Sequence, residues 1–164
     1  MNHLWSPWRM SYILEEKQDS CVFCDALEQE DGCGNLIIHR GQYVYVILNR
    51  YPYTSGHLMV VPYQHCETLD ALKTETRVEM MELINQCVTV LQKSYFAQGI
   101  NIGANLGDAA GAGIPQHIHF HVVPRWSGDT NFMSAIGKTR VVPEALEESY
   151  QRILSTWRKL NEHM

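Results

Sequence analysis

The chain predicts an α+β fold: an antiparallel sheet of about five strands with helices on one face, one helix a crossover between strands and the other C-terminal. Three observations carry it. Runs of β-branched and aromatic residues joined by short links fill the first half, two segments repeat apolar residues at helical spacing, and two more strand-like runs stand between those segments. In order, "LIIHR" (Leu36 to Arg40), "YVYVILN" (Tyr43 to Asn49) and "HLMVVPY" (His57 to Tyr63) read as strands, and Gly- or Pro-containing links this short pair consecutive strands antiparallel. A helix follows: Thr76 and Glu79 match a capping box, and Val78, Met81, Ile84, Val88, Leu91 and Tyr95 recur at helical spacing until Gly99. Its place between strands makes it the crossover. "INIGAN" (Ile100 to Asn105) and a strand holding three histidines come next, joined by the glycine-rich "LGDAAGAGIPQ". Pro143 then opens a second helix, with Leu146, Tyr150, Ile153, Trp157 and Leu160 as one apolar stripe.

At 164 residues, without repeats, low-complexity tracts or a long linker, the chain reads as a single domain over 1–164. Its 45% hydrophobic and 19% charged composition is that of a soluble globular protein. The opening "MNHLWSPWRMSYILEEK" has no continuous apolar block, so neither a signal peptide nor a membrane span is expected, and the expected location is the cytoplasm. Five cysteines, an odd set, favour thiols or a metal site over a disulfide framework. A formal charge of −5 argues against a large nucleic-acid partner, which clustered Lys and Arg would bind. A small anion remains compatible with that charge, because local amides and a few cations can hold it.

The stretch "GIPQHIHFHVVPRW" is the chemical centre of the sequence. On a strand, alternation puts His117, His119 and His121 on one face and Ile118, Phe120 and Val122 on the other. Solvation of a half-buried strand does not call for three imidazoles, so they need a chemical reason. A single shared metal ion is disfavoured, since alternate strand residues lie about 6.6 Å apart at Cα, although one of the rings can still be a ligand. Nucleophilic catalysis is the competing reading, with one neutral imidazole attacking an electrophile and its neighbours fixing the tautomer. Glycines 103, 107, 111 and 113 in the preceding loop let backbone N–H groups approach an anion, and phosphate is the anion such loops most often cradle. Histidine plus phosphate points to a phosphohistidine-type intermediate.

"HIHFHVV" resembles the signature of the histidine triad (HIT) family of nucleotidyl hydrolases and transferases. "LNRYPYTSGHLMVVP" is similar to a second block of that family, and "NIGANLGDAAGAG" to its glycine loop; together the likeness spans about residues 21 to 126. The resemblance implies a HIT-like fold and a homodimer. It also implies roles: His119 attacks the α-phosphorus, His121 bonds the phosphate and assists the leaving group, His117 orients the nucleophile, and His57 completes the polar wall. Asn49 would hold the ribose, and Asn105 would meet the α-phosphate beside the loop glycines Gly111 and Gly113. Many members carry Gln or Ser where this chain has Gly113. Arg125, next after the triad, is a candidate to neutralise phosphate, with a surface ion pair as the equal alternative. "SPWRMSYI" and "PRWSGDTNFMSAIGKTRVVPE" resemble the branch that includes diadenosine tetraphosphate phosphorylases, so the implied substrate is a nucleoside or dinucleoside polyphosphate and the acceptor either water or inorganic phosphate.

Cys21 and Cys24 form "CVFC". A redox pair would want a thioredoxin-like βαβ setting, which is absent, so half of a zinc site is the favoured reading and two buried thiols the alternative. The resemblance supplies the rest: "VPYQH" matches the zinc-bearing members, giving Cys21, Cys24, His65 and His117 as ligands of a structural zinc. Cys66 and Cys33 are alternative ligands. The rival to an enzyme is a zinc-stabilised nucleotide-binding or scaffold protein without significant turnover.

Overall fold

The β-branched runs form strands, and where each one ends decides which groups are left for chemistry. A computed structural model describes residues 20–129 and 144–162. "SPWRMSYI" and Pro143 lie outside them, as does most of the segment after Trp126 that carries the phosphorylase-branch likeness. A short helix, α1 (Val22–Leu27), precedes strands β1 (Ile37–Arg40), β2 (Val44–Leu48) and β3 (Leu58–Pro62). Helix α2 (Thr74–Tyr95), strands β4 (Gly99–Gly103) and β5 (Phe120–Arg125) and helix α3 (Leu146–Asn161) complete the order. The five strands make one antiparallel sheet in the order β1-β2-β3-β5-β4. Helix α2 carries the chain past β3 to the far edge, and the loop after β4 returns it inward. That route inserts β5 between β3 and β4, with His121 opposite Met59 on one side and Gly103 on the other.

Strands β2 and β3 are buried along their whole length, as their unbroken apolar runs require. Helix α2 packs on β2, β3 and β5 and against α3, which also covers β1. The expected stripe of α3 is in place: Tyr150, Ile153 and Trp157 are buried. No helix among the described residues is long and apolar enough to cross a membrane.

Three local expectations are corrected. Helix α2 starts at Thr74 after Lys73, so Thr76 is buried inside the first turn and caps nothing. Glu79 instead accepts the backbone N–H groups of Gln42 (2.7 Å) and Tyr43 (2.6 Å), tying the helix to the turn before β2. The buried stripe of α2 is Met80, Leu83, Ile84, Cys87, Val90 and Leu91, while Val78 and Met81 are 56% and 57% exposed. Both apolar sets fit a 3.6-residue period, and the sheet selects between them. Finally, the histidine strand is shorter than its alternation: β5 begins at Phe120, after His117 and His119. Continuing the β3·β5 register would set Ile118 opposite Pro62, which has no N–H to give, and Ile118 N–H bonds the Cys66 carbonyl instead (2.7 Å). Helix α1 was not expected, because six residues are too few to show a period.

Candidate active site and metal cluster

His57 ends the turn that follows β2, where Gly56 adopts φ +81° and an added Cβ would lie 2.8 Å from the Tyr95 ring. The His57 side chain is fully buried. Its Nδ1 accepts the backbone N–H of Tyr53 (3.1 Å) and faces the Asn49 side-chain nitrogen at 3.2 Å. A ring nitrogen that accepts is unprotonated, so the proton of neutral His57 sits on Nε2, which lies 2.9 Å from Nδ1 of His121. His57 therefore donates to His121. His121 in turn carries its proton on Nε2 and can donate to a bound anion.

His119 is set the opposite way. Its Nδ1 lies 2.8 Å from the His117 carbonyl, which can only accept, so Nδ1 is protonated and Nε2 keeps its lone pair. Burial holds both rings neutral near pH 7: it pushes the His119 pKa down, and for His121, with the neighbouring His119 adding to it, down to about 4. The two rings meet edge to face at 4.8 Å. A neutral imidazole with a free Nε2 beside an Nε2–H donor is an arrangement able to attack an electrophilic phosphorus and bond its oxygens.

His117, fully buried, belongs to both halves of the site. Its Nε2–H donates to the Pro62 carbonyl (2.9 Å), leaving Nδ1 as a lone-pair donor 3.3 Å from Cys21 Sγ and 3.8 Å from Cys24 Sγ. His65 Nδ1 lies 3.4 Å from Cys24 Sγ. The four donor atoms of Cys21, Cys24, His65 and His117 all lie within 4.8 Å of one another, and among the described residues they form the one cluster with metal-ligand spacing. Two thiols and two imidazoles suit zinc or another borderline-soft cation. Burial and the adjacent Cys21 push the Cys24 thiol up to about 11, so a cation is what would draw the thiolates out. Cys33 and Cys66 stand outside the cluster: Cys33 meets Gln151, and Cys66 the Thr68 carbonyl.

The remaining candidates spread around this centre. Asn49 braces its turn, its Oδ1 accepting Tyr51 N–H (2.9 Å). Gly103 flanks His121, and the loop beyond it turns at Gly107 (φ +79°) and Gly111 (φ +82°), with nothing within 4 Å of an added Cβ at any of the three. Gly103, the register partner of His121, leaves open space beside that ring. Asn105 closes the loop onto the Gly111 carbonyl (3.4 Å), and Gly113 stands in the bend before His117. Arg125 is not brought to the histidines. It lies four residues beyond His121, about 13 Å along the strand, and its guanidinium bonds Asp129 (2.8 Å) and Asn101 (2.8 Å). Sequence reasoning missed Phe23, whose ring lies 4.8 Å from that of His119, and Tyr53, whose ring lies 4.8 Å from that of His57. Neither residue type marks chemistry by itself.

Residues 34–128 match the model of the HIT domain family. The chain is 37% identical to the AP-4-A phosphorylase of Mycobacterium tuberculosis (strain CDC 1551 / Oshkosh) over 166 residues, covering 96% of this chain and 85% of that protein. Among solved structures it is similar to a zinc-bound histidine triad family protein from Mycobacterium smegmatis, with TM-score 0.71, 28% identity and coverage of 88% of this chain and 98% of that one. Plasmodium falciparum diadenosine triphosphate hydrolase shares the fold at TM-score 0.63 and 17% identity, over 81% of this chain and 80% of its own. With its family model matched from before β1 to just past β5, the chain belongs to the HIT domain family.

Proposed function

We propose that this protein is an enzyme that transfers a nucleotidyl group from a dinucleoside polyphosphate, such as diadenosine tetraphosphate, through a covalent intermediate on His119. The observation that carries the reading is the pair of opposed tautomers, a lone pair on His119 Nε2 and a proton on His121 Nε2. His119 Nε2 forms a bond to the α-phosphorus while the bond from phosphorus to a bridging oxygen breaks. The departing nucleotide keeps that oxygen and its electron pair. His121 Nε2–H donates to the phosphate and assists departure, and the protonated Nδ1 of His119 is held by the His117 carbonyl throughout. An acceptor then displaces His119 from phosphorus. Splitting the displacement in two is the gain of covalent catalysis. Asn49 serves the ribose, and Asn105 with the backbone around Gly111 and Gly113 serves the phosphates. The open space beside the loop glycines supports that placement, whereas the engagement of Arg125 with Asp129 favours its reading as a surface ion pair.

Inorganic phosphate is the favoured acceptor, supported by the likeness to AP-4-A phosphorylase over 96% of this chain. Cys21, Cys24, His65 and His117 would hold a structural zinc, a reading supported by the donor set and by the zinc-bound relative. Zinc held there would tie the turn at Cys21 and Cys24 to the residues ahead of β5, a structural role separate from water activation. The unit is a cytoplasmic homodimer. Strand β4 is a sheet edge exposed at most positions, with Ile102 and Leu106 half exposed and Phe96, just before it, 81% exposed; a second copy would cover all three.

The test is turnover of diadenosine tetraphosphate with and without inorganic phosphate, quenched and analysed by mass. ATP plus ADP marks phosphorolysis, and ATP plus AMP marks hydrolysis. Wild type carries an acid-labile nucleotidyl mass on the "HIHFH" peptide. His119→Asn, which keeps a planar polar group, binds AMP but loses the adduct and more than about 10⁴-fold in kcat, beyond what acid–base help alone supplies. An adduct on His117 or His121 would reassign the roles, and no turnover of any nucleotide would leave a zinc-stabilised binding protein.

A further inference from the structure

We infer that Phe23 is a positioning residue for His119, one that couples the Cys21–Cys24 turn to the aim of the attacking nitrogen; the inference rests on the reading of His119 as nucleophile. A hydrogen bond at Nδ1 fixes one atom of the His119 ring. Holding Nε2 on a line of attack also requires a wall against the ring. Among the described residues, the aromatic rings that meet His119 are those of His121 and Phe23. His121 faces the same substrate and has its own task. Phe23 is 2% exposed, and its ring meets His119 at 4.8 Å, tilted 54°, and His117 in a T-shaped contact at 5.4 Å. It thus touches the ring it would steady and the residue whose carbonyl holds Nδ1.

Phe23 is itself anchored twice. Cys21, the N-cap of α1, and Cys24, within it, stand on either side of Phe23, and its carbonyl accepts the hydroxyl of Tyr45 (2.9 Å), a buried residue of β2. Both supports of His119, the His117 carbonyl and the Phe23 ring, therefore come from residues within or between the metal donors. The turn that gathers the cation also sets the nucleophile, so the cluster reaches the reaction through packing.

The experiment compares Phe23→Leu and Phe23→Ala with wild type by metal content, AMP affinity, steady-state kinetics on diadenosine tetraphosphate, and long-range ¹⁵N spectra of the histidines. In Phe23→Leu, which keeps an apolar side chain in the core, metal stays near one equivalent and AMP affinity within about twofold. Meanwhile kcat falls about 10–100-fold, the cost expected of a misplacement of order 1 Å, and the His119 nitrogens lose the pattern of a single Nδ1–H tautomer. Phe23→Ala loses more, and if it fails to fold the Leu variant still decides. Full kcat in Phe23→Leu with metal retained overturns the inference. So does a kcat loss that merely tracks missing zinc and returns when zinc is added, because Phe23 would then only shelter the cluster. Normal adduct formation in wild type with normal Phe23→Leu kinetics defeats this inference alone, whereas a wild type without an adduct on His119 removes the nucleophile reading as well.

Discussion

Replacing His57 by Phe keeps a buried ring and deletes both nitrogens, which isolates the relay from His57 to His121. Tyr53 N–H and His121 Nδ1 each lose a partner, and Asn49 loses a neighbour. An unsatisfied buried polar group costs about 1–3 kcal/mol, and the Tyr53 end borders the surface, so the expected stability loss is about 2–4 kcal/mol. A domain stable by about 5–15 kcal/mol stays folded through that. The catalytic effect is separate. Deleting an oxyanion donor outright costs about 10²–10³ in kcat, but here the donor survives and only its tautomer is released, so kcat on diadenosine tetraphosphate falls about 10–100-fold. His57→Gln is the control, since its amide can accept from Tyr53 at one end and donate to His121 at the other; it recovers most of the rate. Urea unfolding gives the stability term and AMP titration shows that the pocket survives. Wild-type kcat in His57→Phe, or a Gln variant as slow as the Phe variant, would refute the relay.

Metal analysis should find about one zinc per chain; chelation or Cys21→Ser should lower Tm by about 10 °C, because a ligand bound only by the native state adds to stability, and an unchanged Tm would make the cysteines plain thiols. His121, surrounded by His57, His119 and Tyr53, has its pKa pushed from 6.5 down to about 4, so the unfolded chain takes its proton first as pH falls. That contribution to stability is complete above pH 6.5 and is lost toward pH 4, by up to about 3 kcal/mol, and urea unfolding at pH 7 and 4.5 should show a smaller difference in His121→Asn. Glu79→Ala removes the acceptor of two backbone N–H groups and should cost about 1–3 kcal/mol in urea unfolding, with kcat unchanged; a neutral result would mean that water replaces the carboxylate.

The strands were legible because β2 and β3 are buried on both faces and their apolar runs are unbroken. The helix phase was not, because Val78 and Met81 keep the same period as the residues that are buried, and only the sheet distinguishes the two stripes. Half of the metal cluster was legible by spacing, in Cys21 and Cys24; His65 and His117 came only from the family resemblance, and all four meet. Arg125 shows a case in which sequence left two readings even, and the ion pair with Asp129, one of the two, is formed. Phe23 and the opposed tautomers were beyond reading, because both depend on which atoms of distant segments touch.

The proton on each of these imidazoles is assigned by the main chain: Tyr53 N–H decides for His57 and through it His121, the His117 carbonyl for His119, and the Pro62 carbonyl for His117. Side-chain substitutions elsewhere in the pocket can thus reshape what binds without rewriting which nitrogen attacks and which donates. Grafting follows the opposite rule. "HIHFH" moved into a foreign sheet would carry the rings and leave their instructions behind; the smallest transferable unit is the histidine segment together with β3 and the turn that leads into it.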